Sequence, residues 1–128
     1  MRSGIFVVAC LALLTCARPA RRSTLTPDDS LSSLLVENRD VHQVTLYVLG
    51  PGGVQQQRLG TVEAAKARCF ALPVIESAIA IRVDSELYGI ETSDFLPTAG
   101  SAWRLLIDSG YRLPHGPPVE PERERCRP

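Results

Sequence analysis

The feature that most constrains this chain is a pattern of period two that recurs in short runs. In VTLYVL, Val44, Leu46 and Val48 alternate with Thr45, Tyr47 and Leu49. Ile79, Ile81 and Val83 alternate with Ala80, Arg82 and Asp84, and Trp103, Leu105 and Ile107 alternate with Arg104, Leu106 and Asp108. Successive side chains of an extended strand point to opposite faces, so runs of this kind bury one face and leave the other in water. Turn residues separate them: Gly50-Pro51-Gly52-Gly53, Asp84-Ser85-Glu86, and Pro97 to Ser101. Gln55 to Val62 returns from the first turn as the second arm of a hairpin, and Leu87 to Glu91 follows the second as a further strand.

One segment is ambiguous. EAAKARCFAL consists of good helix formers, but it is short and Pro73 limits it. Read as a strand from Ala67 to Leu72, it sends Phe70 and Leu72 into the core and Cys69 to the opposite face. With that strand the chain has about seven short strands, spaced by turn signals, and no convincing long helix. The fold class is therefore all-β: a small antiparallel β-sandwich, Ig-like or similar, over residues 34–108.

The two ends read differently. GIFVVACLALLTC is too short to span a bilayer, which takes about 20 apolar residues. It follows Arg2 and the amino terminus and stops at Arg18-Pro19, as the apolar region of an export signal does. Leu13-Leu14-Thr15-Cys16 resembles the lipobox of bacterial lipoproteins, although the position before the cysteine is usually Gly, Ala or Ser. The resemblance implies a signal peptide over 1–15, lipid on Cys16, and a destination on the outer membrane facing the periplasm. Cleavage after Ala17 is the alternative, and it gives a soluble periplasmic or secreted protein. Arg18, Arg21 and Arg22 weigh against export of either kind, because positive charge favours the cytoplasmic side.

Residues 16–33 then form a tether rich in Arg, Ser, Thr, Pro and Asp, and Thr26-Pro27-Asp28-Asp29 suits the start of a short helix. Residues 109–128 form a tail rich in Pro, Arg and Glu that cannot be helical through Pro114, Pro117, Pro118 and Pro121. Of the four cysteines, Cys10 leaves with the signal and Cys16 takes lipid. Cys69 and Cys126 remain, and in an oxidising compartment they are a candidate disulfide that pins the tail to the domain. Closing that loop is worth about 4 kcal/mol in the chain-entropy model.

The succession VEN, VTLYVL, RLGTV, CFALP and IAIRVDS resembles small uncharacterised bacterial lipoproteins or secreted proteins with a compact β-sandwich. In that likeness Val36-Glu37-Asn38 is a first strand and Leu59-Gly60-Thr61-Val62 a hairpin return. It brings no activity with it.

Catalytic patterns are lacking. There is no GxSxG elbow, and Gly50-Pro51-Gly52-Gly53 has neither the Lys nor the Ser/Thr of a phosphate loop. His42 and His115 show no metal-ligand spacing with each other or with Cys69 and Cys126. Asp84, Glu86, Glu91 and Asp94 gather near one turn, but their spacing matches no calcium loop, so they read as a solvated acidic turn. Fourteen basic and fourteen acidic residues cancel, and no clustered basic face suits nucleic acid. Trp103 reads as core. Tyr47 is the candidate partner surface, on the outer side of its strand. The expectation is a non-catalytic, membrane-tethered envelope lipoprotein without cofactor or metal, anchored by lipid and contacting an envelope partner. A small hydrolase with an unrecognised site is the remaining alternative.

Overall fold

The computed structural model describes residues 31–108 and 116–128. Among the described residues eight strands follow one another: β1 (Ser32–Asn38), β2 (Val44–Leu49), β3 (Gln55–Val62), β4 (Ala67–Leu72), β5 (Ala80–Asp84), β6 (Gly89–Glu91), β7 (Ala102–Ile107) and β8 (Val119–Pro121). They make two four-stranded sheets, ordered β4-β1-β7-β8 and β3-β2-β5-β6. The chain alternates between the sheets at its corners, which makes this a small β-sandwich.

The alternation places the core as the sequence suggests. Leu34 and Val36 from β1, Val44, Leu46 and Val48 from β2, Phe70 and Leu72 from β4, Ile81 and Val83 from β5, and Leu105 and Ile107 from β7 fill the space between the sheets. Each such side chain, fully withdrawn from water, contributes about 1.5–3 kcal/mol. Phe70 and Leu72 point inward and Cys69 outward, so Ala67–Leu72 is a strand despite its helix-forming residues. Pairing with β1 over six positions outweighs local propensity here. Trp103 stands at the margin of the core instead of within it. Its ring lies 5.0 Å from that of Phe95, and its indole N–H donates to Ser101 Oγ at 2.9 Å.

Three expectations need correction. The sheets are not wholly antiparallel: β1 pairs β7 in parallel, with Leu34 opposite Trp103 and Val36 opposite Leu105. No tight hairpin joins these two strands. The intervening chain passes through both sheets, and that length allows a parallel approach. The domain also starts before residue 34, because Ser32 and Ser33 belong to β1. Ser32 is buried with its hydroxyl 2.8 Å from Ser101 Oγ, so its polarity is satisfied inside the fold. Finally, the segment read as a tail contains β8, which pairs β7 through Val119, Glu120 and Pro121. Proline excludes a helix there but is tolerated at a sheet edge.

The Leu87–Glu91 strand is shorter than its pattern suggests. Ser85 Oγ accepts from the amides of Leu87 and Tyr88, holding both residues in the turn and leaving Leu87 exposed. On the open side of the sandwich, Arg68 on β4 points toward the core side of its sheet. It covers the edge by donating to the Thr61 carbonyl of β3 at 3.0 Å and lying 4.8 Å over the Phe70 ring. A charge directed inward on an edge strand discourages pairing with another chain.

Candidate functional site

Tyr47 lies on the outer face of the β3-β2-β5-β6 sheet. The strand register puts Arg58 opposite it on β3 and Arg82 opposite it on β5, with Glu91 of β6 beyond Arg82. Residues directly opposite across a sheet share a face. A row Arg58–Tyr47–Arg82–Glu91 therefore crosses all four strands, with Tyr47 half-buried between two guanidinium side chains. Arg82 is engaged within the sheet. Its Nε donates to Asp84 Oδ1 at 2.9 Å, and its Nη1 lies 3.9 Å from Glu91 Oε1. The hydrogen bond to Asp84, helped by the charge of that carboxylate, raises the Arg82 pKa and keeps the guanidinium charged. Arg58 is exposed. The face thus offers an aromatic ring beside one exposed cation and one internally balanced cation, a combination suited to a partner with an apolar patch and hydrogen-bond acceptors.

A second polar cluster occupies one end of the sandwich, and sequence reasoning missed most of it. Asp40 is buried in the corner between β1 and β2. Its Oδ2 accepts from the Tyr88 hydroxyl at 2.7 Å, and its Oδ1 accepts from the Val41 amide at 2.6 Å and lies 3.4 Å from His42 Nδ1. The Tyr88 bond, with the other donors, lowers the Asp40 pKa against the opposing effect of burial. Tyr88 responds in the opposite sense. Loss of water and the bond to Asp40 push its pKa up to about 12, so it remains a neutral phenol near neutrality.

Asn38 completes the corner. Its Nδ2 donates toward the carbonyls of His42 at 2.8 Å and of Val62 and Glu63 at 3.2 Å, while its Oδ1 accepts the Asp40 amide at 3.0 Å. This one side chain ties the β1–β2 corner to the β3–β4 corner. The sequence carried a local signal, Asn38-Arg39-Asp40 at the end of a strand, which is turn chemistry. Tyr88, forty-eight residues further on, carried none.

The structure brings His42 beside a carboxylate, which is half of a nucleophile-activating arrangement. Both Asp40 oxygens are already engaged in the corner, and the adjacent hydroxyl is a tyrosine held protonated, so the cluster is built to be satisfied more than to react. The acidic residues do not converge. Asp84 and Glu91 turn to Arg82, and Glu86 and Asp94 are exposed. Among the described residues no group of three or more His, Cys, Asp or Glu is placed to hold a metal. Cys69 and Cys126 form a disulfide, with Cα atoms 5.7 Å apart and a sequence separation of 57. Cys16 and His115 lie outside the described residues.

No protein-family model matches the chain, and no curated protein matches it. Among solved structures it is similar to the NMR structure of a protein from Eubacterium rectale. The identity is 11%, over 72% of this chain and 88% of that one, with a TM-score of 0.42.

Proposed function

We propose that this protein is a non-catalytic lipoprotein of the bacterial cell envelope, tethered to the outer membrane through lipid on Cys16 and presenting the sandwich to the periplasm as an interaction or structural module. The observation that carries the interaction role is the row Arg58–Tyr47–Arg82, which leaves an aromatic ring and a cation on an accessible sheet face. The lipobox-like Leu13-Leu14-Thr15-Cys16 supports the anchor. A disulfide between Cys69 and Cys126 is compatible with an oxidising compartment, where such bonds persist. More than one acyl chain would make attachment stable, at about 0.8 kcal/mol per buried CH₂.

Intact mass of the full chain expressed in a Gram-negative host, before and after reduction and thiol alkylation, tests this reading. A product starting at Cys16 with added acyl mass supports the lipoprotein. A product starting at Arg18 without lipid replaces it with a soluble exported binding domain. A full-length product with free thiols overturns export altogether. Tyr47→Ala, judged by capture of an envelope partner at unchanged stability, tests the surface. The Asp40–His42 contact is the one observation favouring a hydrolase. Ester hydrolysis lost in His42→Ala would replace the non-catalytic reading.

A further inference from the structure

The chain after β8 does something that the strand count conceals. β8 lies at one edge of its sheet and β4 at the other, with β7 and β1 between them. Glu122 continues the β8 pairing, its amide donating to the Ala102 carbonyl at 2.8 Å. Cys126 is bonded to Cys69 of β4. From β8 to β4 is three interstrand steps, or about 14 Å. The four residue steps from Glu122 to Cys126 reach about 13–14 Å at full extension. The Cα atoms of the disulfide are 5.7 Å apart, so the segment crosses the outer face over β7 to bring Cys126 beside Cys69.

Small residues line this part of the outer face. Ser33, Leu35 and Ala102 face outward, since Leu34, Val36 and Leu105 fill the core. Yet Ser33 and Ala102 are buried, at 3% and 9% exposure. In register, Ala71, Ser33 and Ala102 make a row of small residues across β4, β1 and β7. That row is a trough in which an extended chain can rest. Ser33 Oγ is covered there without a hydrogen-bond partner. Leu35 lines a hollow under the crossing with Glu122, Arg123, Glu124, Arg125 and Cys126.

The covalent hold on the crossing is the Cys69–Cys126 disulfide. The side chains of the crossing are Glu122, Arg123, Glu124 and Arg125, of which the last three are exposed, so it buries no apolar side chain before Cys126. Arg125 Nη2 donates to the Leu31 carbonyl at 3.2 Å, but this bond is exposed. The sandwich core lies on the other face of the sheet.

We infer that residues 122–126 form a redox-released strap, latched across the outer face of the β4-β1-β7-β8 sheet by Cys69–Cys126, and that a dithiol reductant frees it to uncover the Ser33–Ala102 trough while the sandwich stays folded. A thiolate of the dithiol attacks one sulfur of the pair, and the other leaves as a thiolate. The second thiol of the reductant then resolves the mixed disulfide. Two electrons and two protons pass to the protein, which ends with two thiols, and the reductant ends as a disulfide. Both cysteines are only partly buried, so a small reductant has access to them.

Limited trypsin digestion of the full chain, oxidised and after dithiothreitol, reads the strap directly through the bonds following Arg123 and Arg125. Products are identified by mass after complete reduction. Hydrogen exchange on the same samples reads the sandwich. The expected result is cleavage after Arg123 at least about tenfold faster in the reduced protein, because proteolysis follows the open population, with amide protection in β1, β2, β5 and β7 retained. Cys126→Ser should match the reduced protein without any dithiol. Equal cleavage rates in the two states would overturn the latch. Loss of protection across β1 and β7 on reduction would also overturn it, because the disulfide would then be holding the domain and not the strap.

Discussion

Replacing Asn38 by alanine tests whether the sandwich depends on one polar side chain at its corner. Asn38 is 1% exposed. Its amide joins four backbone groups: the Asp40 N–H, and the carbonyls of His42, Val62 and Glu63. The bonds to the Asp40 amide and the Val62 carbonyl are fully buried, so water cannot replace them in the variant. The other two carbonyls are partly open to solvent. A buried polar group left without a partner costs about 1–3 kcal/mol. Two such groups, with the rest rehydrated, place the loss at about 2–6 kcal/mol, a large share of the roughly 5–15 kcal/mol that holds a domain folded. Urea unfolding of the oxidised protein should show a lower midpoint with an unchanged slope, the mark of a pure stability change. Asn38→Asp should lose more than alanine at neutral pH, since a carboxylate would then face three carbonyl oxygens. A loss below about 1 kcal/mol for Asn38→Ala would refute the reasoning, because it would mean that the corner finds other partners without cost.

Three further outcomes follow from the same structure. Gly60 has φ +149°, and a Cβ there would stand 3.1 Å from the Phe70 ring, so Gly60→Ala should cost about 1–3 kcal/mol by overpacking and lower the melting temperature; an unchanged melt would contradict this. Asp40 has its pKa depressed, first by Tyr88, so its contribution to stability is present above the unfolded value of 3.8 and is lost as pH falls through the folded value. Asp40→Asn should accordingly flatten the acid limb of stability against pH, and identical acid limbs would count against the assignment. Tyr88 has its pKa raised from 10.0 to about 12, so its contribution is full below the unfolded value and is lost as pH rises from there through about 12. Phenolate absorbance should reveal one late-titrating tyrosine that disappears in Tyr88→Phe, and a normal titration in the parent protein would exclude the bond to Asp40.

The three polar corner predictions, on Asn38, Asp40 and Tyr88, rest on contacts that a linear reading could not supply. Val44–Leu49 and Ala80–Asp84 were legible as strands because their side-chain period is local and survives whatever they pair with. The inward turn of Phe70 and Leu72, with Cys69 outward, followed from the same period once a strand was assumed. Tyr47 could be placed on an outer face, but its flanking by Arg58 and Arg82 depends on which strands lie beside β2. That choice belongs to the sheet order and not to any one segment. His42 was visible only as a lone histidine, since its neighbour Asp40 becomes a buried acceptor only when Tyr88 arrives from another strand connection.

By itself, the sequence determined the all-β class, most of the strand positions and the composition of the core, because alternating burial is written at a spacing of two residues. It also singled out Cys69 and Cys126 as the pair left to join. Only the tertiary structure decided that β1 meets β7 in parallel, that Asn38 locks two corners together, and that a segment resembling a loose tail becomes a strand and then a strap. Those features come from contacts between residues tens of positions apart, whose formation depends on how the two sheets pack and not on the preference of any single stretch.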